Sequence, residues 1–213
     1  MARRNPARPK TSTAVTVNSP LRIIGGRLRG RKLFYNGRPG TRPMKDRVRE
    51  ALFNLVGPSV RGQHAIDLFA GTGALGLEAI SRGARSATFV EQHFPTADLI
   101  QRNIDLLGLA DVCQVQRGNT FFWAGDLSGL PDTAWLVLCS PPYDFYVEKT
   151  DQMAALIDTF LQQAPGGSTM VVEADKRFDF QQLPQADQWD VRPYPPAVLG
   201  IYRLPAVTGE YSA

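Results

Sequence analysis

The stretch A-I-D-L-F-A-G-T-G-A-L-G-L-E-A-I, residues 65–80, constrains this chain more than any other, because an apolar strand runs into a glycine-rich turn and then straight into a helix. Gly71, Gly73 and Gly76 satisfy G-x-G-x-x-G. Glycines at that spacing let the backbone turn tightly and approach a ligand, while the helix start presents unpaired N–H groups to it. The rest of the chain continues the theme: strands are predicted at 64–69, 86–91, 112–117, 134–139 and 168–173, with helices near 73–82, 94–107 and 148–163. Such alternation requires right-handed crossovers and a mainly parallel sheet. Residues 187–194 and 198–204 read instead as two strands joined through Pro195-Pro196 with no helix between them, hence an antiparallel pair. The expected class is therefore α/β and Rossmann-like: a seven-stranded, mainly parallel sheet with an antiparallel C-terminal pair and helices on both faces.

The 213 residues suit one domain with an appendage, and 43% hydrophobic against 21% charged residues is enough for a core. No apolar run approaches the roughly 18 residues of a membrane span. Cys113 and Cys139 lie among apolar neighbours and read as buried thiols, and His64 and His93 are far apart in sequence, so no metal site is expected. Charge divides the chain sharply. Residues 1–50 carry 14 Lys and Arg against two acids, +12, while the remainder carries 10 against 18, −8. A basic segment on an acidic body suggests a polyanion-binding element. Residues 1–19, with prolines, no acids and no apolar periodicity, are expected to form a disordered basic arm without a secretory signal. Residues 20–58 should form a hairpin and helix extension: two short strands around Gly25-Gly26 and Gly30, with Arg22, Arg27, Arg29, Arg31 and Lys32 interleaved, then a helix with Val48, Leu52, Leu55 and Val56 on one face. That helix should dock on the main domain, 59–213, leaving Arg47 or Arg49 free to point elsewhere.

The glycine motif, taken literally, matches a dinucleotide site, with Glu91 twenty residues beyond Gly71 as the ribose-binding acid. Asp67, four positions before the first glycine, argues against a pyrophosphate, which it would repel. A ligand with a cationic head is better served there, and S-adenosylmethionine has an ammonium, a sulfonium, a ribose and no phosphate. Asn119, after the third strand, is a candidate for the adenine edge. Its alternative is a local turn role.

The fourth predicted strand ends in S-P-P-Y, residues 140–143, at the carboxyl edge where open α/β sheets bind ligands. Pro141 and Pro142 fix φ and remove two N–H donors, so a stiff loop presents acceptors. Ser140 Oγ and the Pro141 carbonyl could accept both hydrogens of an exocyclic nucleobase amine, holding its lone pair toward a methyl donor. Tyr143 would offer a face for stacking. No nucleophilic side chain is needed for such a transfer.

R-I-I-G-G-R-L-R-G-R-K-L, R-P-M-K-D-R-V-R-E-A-L-F-N, D-L-F-A-G-T-G-A-L-G-L-E-A-I-S-R-G-A, F-V-E and P-P-Y together resemble, in order and spacing, the RsmD-type methyltransferases over residues 21 to about 204. The resemblance implies a class I S-adenosylmethionine-dependent enzyme that methylates the exocyclic N2 of a guanine in small-subunit (16S) ribosomal RNA. It implies a cofactor site at Asp67, Phe69, Ala70, Gly71, Thr72, Gly73, Glu91 and Asn119, a catalytic loop at Ser140–Tyr143, and basic residues of the extension on RNA. A cytoplasmic monomer acting on ribosomal RNA or an assembling small subunit is the matching expectation. The family usually has Asp or Asn where this chain has Ser140, and R-P-T-x-D-R where this chain has Arg42 to Arg47. An uncharged hydroxyl stabilises positive character on nitrogen less than a carboxylate would. Two other readings remain: a DNA amino-methyltransferase, suggested by S-P-P-Y itself, and a non-catalytic RNA-binding or assembly protein.

Overall fold

Residues 21–35, 37 and 43–206 are described by the computed structural model, so the arm expected at 1–19 lies outside them. Helix α1 (Asp46–Val56) precedes β1 (His64–Asp67), α2 (Ala74–Ser81), β2 (Ser86–Glu91), α3 (Phe94–Leu107), β3 (Cys113–Arg117), α4 (Thr120–Trp123) and β4 (Trp135–Cys139). The chain continues through α5 (Phe145–Glu148), α6 (Thr150–Gln163), β5 (Thr169–Asp175), β6 (Asp190–Tyr194) and β7 (Ala197–Arg203). These strands form one seven-stranded sheet in the order β3-β2-β1-β4-β5-β7-β6. Strands β1 to β5 run parallel, and β7 inserts antiparallel between β5 and β6. The order reverses between β1 and β4, which opens a crevice beyond their carboxyl ends.

Alternate residues of the central strands feed two cores. Ala65, Leu136, Leu138 and Val171 join α1, α2 and α3 on one face, through Val48, Leu52, Leu77, Ile100 and Ile104. Ile66, Val137, Cys139, Met170 and Val172 join Met153, Leu156, Ile157 and Phe160 of α6 on the other. Period-two alternation in strands buried on both sides makes this two-layer cover possible. Both cysteines are free and buried. Among the described residues no helix is long and apolar enough to cross a membrane.

The expected hairpin is present over residues 21–35, but its ladder is shorter than two strands would give: a single bridge, Arg22 to Lys32, closed by Ile23 N–H to the Arg31 carbonyl (2.9 Å) and Leu33 N–H to the Leu21 carbonyl (3.0 Å). Its backbone is occupied by α2 rather than by a long ladder. The buried Glu78 carboxylate accepts the N–H groups of Ile24 (2.8 Å) and Gly25 (2.7 Å), and Ser81 Oγ accepts that of Leu28 (2.9 Å). Gly26 lies so close to Ser81 that a Cβ there would meet its carbonyl oxygen at 1.9 Å. Of the two arginines of which one was expected to stay free, Arg47 is exposed and Arg49 is fully buried. It donates to the carbonyls of Arg22 (2.8 Å) and Met44 (3.2 Å) and to Asp46 (3.0 Å), and faces Glu78 at 3.8 Å.

Replacing Glu78 by Ala would leave two hairpin N–H groups and the Arg82 guanidinium without their acceptor and would remove the opposite charge that faces buried Arg49. The expected destabilisation is about 3 to 5 kcal/mol, the usual cost of removing one member of a buried ion pair. Denaturant unfolding measures it, and a loss below about 1 kcal/mol would mean that the hairpin docks by apolar packing alone.

Candidate active site

The carboxyl ends of β1, β2, β4 and β5 converge on a cavity of about 530 Å³ lined by Phe69–Thr72, Glu91, Asn119, Ser140–Tyr143 and Glu173. Met44, Lys45 and Val48 from the N-terminal side, and Pro196 and Ala197 from the β6–β7 turn, complete its rim. The two motifs singled out in the sequence thus open into one space.

The glycine turn is shaped for helix initiation. Gly73 sits at φ 73°, a left-handed conformation open to glycine, and caps α2. Gly76 packs flat on Phe89, whose ring would lie 2.4 Å from a Cβ at that position. Asp67 and Gly73 are not part of the cavity wall. Asp67 is buried behind the loop, where Oδ2 accepts the Gly76 N–H (3.0 Å) and Oδ1 has no hydrogen-bond partner among the described residues. Burial pushes its carboxyl up to about 7, and the neighbouring Glu91 charge adds to the rise against the Gly76 hydrogen bond.

Glu91, at the mouth, accepts the N–H of Gly71 on one oxygen and that of His93 on the other, each at 2.8 Å. A carboxylate has about four lone-pair positions, so each oxygen keeps capacity for a ligand hydroxyl. Asn119 does the local work its residue type allows: its Oδ1 accepts the Phe121 N–H (2.9 Å) and caps α4. The side-chain nitrogen remains available to the cavity. Beside it, Phe69, Phe121 and Phe145 pack edge to face or tilted, with centroids 5.9 to 6.2 Å apart, and Lys149 Nζ lies 4.0 Å from the Phe145 ring centre.

In the S-P-P-Y loop, Ser140 Oγ donates to Glu173 Oε2, and the Tyr143 hydroxyl donates to Glu173 Oε1 (2.8 Å). Glu173 was not singled out in the sequence. Its signal is one acid inside the apolar run M-V-V-E-A of β5, but its partners lie 30 and 33 residues away. Parallel pairing of Cys139 with Val172 brings the two strand ends together. Burial raises the Glu173 carboxyl above the ordinary range, against the two hydroxyl donors.

The basic residues of the hairpin do not reach this cavity as a group. Arg22 ion-pairs with Asp46 (3.3 Å), next to the rim residue Lys45. Arg27, Arg29, Arg31 and Lys32 are exposed. The Arg27 backbone bonds Ser81 at the end of α2, and the Arg31 guanidinium bonds the Leu106 carbonyl (3.1 Å) near the end of α3. Both helices begin at the cavity, and a rise of about 1.5 Å per residue puts this cluster roughly 12 to 18 Å away.

A carboxyl with a raised folded-state pKa holds its proton more tightly folded than unfolded, so stability falls as pH rises from the unfolded carboxyl range to the folded value. Asp67→Asn should therefore gain on the parent by about 1 kcal/mol per pH unit between roughly pH 4 and 7, with no divergence below. Urea unfolding across that range tests this, and parallel stability curves would show that Asp67 is not perturbed.

Residues 21–201 match the family model described as "Conserved hypothetical protein 95". The chain is similar to the YlbH protein of Bacillus subtilis, 32% identical over 163 residues that cover 76% of this chain and 86% of YlbH. It is 41% identical over 123 residues to ribosomal RNA small subunit methyltransferase D of Escherichia coli; the match spans 58% of this chain and 60% of the length of that protein. An RNA methyltransferase of Salinibacter ruber, solved with S-adenosyl-L-homocysteine, shares the fold with a TM-score of 0.57 at 16% identity, covering 77% of this chain and 94% of that one. With its Rossmann-like class I sheet and the S-P-P-Y loop and glycine turn opening into one cavity, the chain belongs to the Conserved hypothetical protein 95 family, the RsmD-type methyltransferases.

Proposed function

We propose that this enzyme transfers the methyl group of S-adenosylmethionine to the exocyclic N2 amine of a guanine in small-subunit (16S) ribosomal RNA. The observation that carries the reading is the single cavity shared by the glycine turn, Glu91 and Ser140–Tyr143. The residues fit the cofactor. Glu91 keeps an acceptor position on each oxygen that would take ribose hydroxyls, the Phe69–Thr72 backbone beside it would cradle the ligand, and Asn119, near the Phe121 and Phe145 rings, would read the adenine. Asp67 acts from behind, holding the glycine turn and α2 in register through Gly76. When bound, S-adenosylmethionine supplies an electrophilic methyl on a sulfonium. The protein supplies alignment: Ser140 Oγ and the Pro141 carbonyl accept the amine hydrogens, and Tyr143, its hydroxyl tied to Glu173, presents a ring held in one orientation for the base.

The name of the Escherichia coli relative favours ribosomal RNA over DNA. A cytoplasmic monomer working on a small subunit or its RNA is the setting this reading implies. With the hairpin arginines roughly 12 to 18 Å from the cavity, the footprint is extended: the base enters the cavity while backbone phosphates cross the flank formed by Arg27, Arg29, Arg31 and Lys32.

Labelled methyl transfer to small-subunit RNA or particles, followed by nucleoside analysis, tests the function. N2-methylguanosine is expected, and label in adenosine or cytidine alone, or none at all, would overturn it. Changing Arg27, Arg29 and Arg31 together to Ala should weaken RNA binding and flatten its salt dependence by about one slope unit per lost phosphate contact. Cofactor affinity, read by calorimetry, should stay at the parental value; an unchanged salt slope would show that these side chains only guard helix ends.

A further inference from the structure

Ser140 stands where the family usually carries a carboxylate or its amide, yet the charge is not missing from the site. It stands one side chain further back. Glu173 is buried, lines the cavity, and takes the Ser140 and Tyr143 hydroxyl hydrogens on its two oxygens. Among the described residues no Lys or Arg ion-pairs with it; Lys176, nearest in sequence, is exposed, and Arg177 is committed to Asp144 (2.9 Å) and Asp175 (2.8 Å). The other titratable groups that feel its charge, Cys139 and Tyr146, are buried neutral donors whose ionisation burial opposes. A buried carboxylate held only by neutral hydroxyls attracts a positive charge that appears nearby, and the low dielectric around it preserves that attraction.

We propose that Glu173 is the terminal proton acceptor of methyl transfer, acting through Ser140, so that the Ser140–Glu173 pair replaces the single acid or amide of the family. This rests on the guanine N2 reading above. By drawing the Ser140 hydrogen to itself, Glu173 turns the lone pairs of Oγ toward the cavity, which makes the serine an acceptor for the target amine. In the transfer the amine nitrogen bonds the methyl carbon with its own lone pair, and the carbon–sulfur bond breaks with its electrons left on sulfur. The proton that nitrogen must then lose passes to Ser140 Oγ as the serine proton passes to Glu173 Oε2. Glu173 ends neutral and returns its proton to water. Through Tyr143 the same carboxylate is also a positioning residue, since it fixes the stacking ring.

Glu173→Gln keeps the size and an acceptor for Ser140 but removes the charge. Its methyl transfer should fall at least about 100-fold, the lower range for general acid–base catalysis, with S-adenosylmethionine affinity by calorimetry unchanged. The rise of parental kcat/KM with pH, set by ionisation of Glu173, should be absent from the variant. The double variant Ser140→Asp/Glu173→Gln should recover most of the lost rate, because it places a carboxylate on the amine directly; a merely structural role for Glu173 gives no such rescue. Carbon-13 NMR titration of the free protein adds a reading independent of turnover: the Glu173 carboxyl should titrate above the ordinary range, and Ser140→Ala should raise it further by removing a donor. A parental rate and pH profile in Glu173→Gln, with N2-methylguanosine still formed by the parent, would overturn the relay and leave the proposed function standing. A parent that forms no N2-methylguanosine would overturn both.

Discussion

The carboxylate of Glu78 is the point on which the geometry of the site turns. It lies fully buried in the middle of a helix that begins at the glycine turn, and it collects two backbone N–H groups of the N-terminal hairpin, the Arg82 guanidinium and the face of Arg49. Arg49 in turn holds the carbonyls of Arg22 and Met44. Met44 and Lys45 belong to the cavity rim, so one buried charge connects the ligand loop, the hairpin and the rim. A buried pair of this kind adds little net stability compared with apolar packing. Its effect is selective: with so many donors fixed on one acceptor, the hairpin has a single way to sit.

Three acids lie at or near the carboxyl ends of their strands: Asp67 on β1, Glu91 on β2 and Glu173 on β5. Burial raises Asp67, behind the glycine turn, and Glu173, in the cavity wall. The two acids that line the cavity, Glu91 and Glu173, suit a cationic ligand and repel a polyanion. The chain resolves the conflict by segregation. Its acidic body forms the interior of the site, while exposed arginines of the hairpin sit at the far ends of α2 and α3.

What the sequence made legible was local or periodic. The glycine turn, the strand–helix alternation, the antiparallel ending and the S-P-P-Y loop all appear in the structure in their expected places. Helices α4 and α5, four residues each, are too short to show a period. Which of Arg47 and Arg49 stays outside is hidden in the sequence for a different reason. Together with Leu52, Phe53 and Val56, Arg49 follows the i, i+3, i+4, i+7 spacing of the buried face, but a guanidinium at such a position reads as solvent-facing until its long-range acceptor is known. The hairpin has a shorter ladder than its two apolar stretches suggest because much of its backbone is satisfied by α2, over fifty residues away. Glu173 shows the same limit: its meaning depends on strand pairing that no spacing within the chain announces.

The place of β7 bears on when such a molecule becomes competent during its own synthesis. This strand is the last of the described elements to be made, yet it lies inside the sheet, between β5 and β6. It also receives the first helix: α1 packs on it, Arg203 bonds the Leu55 carbonyl (2.7 Å), and Arg47 bonds Pro195 (3.1 Å) just before it. A nascent chain lacking β7 has an open edge on β5, an α1 held on its other contacts alone and a cavity missing Pro196 and Ala197 from its rim. Early and late segments must therefore meet before the cavity closes, and a ribosome building this protein releases nearly the whole described chain before that cavity is complete.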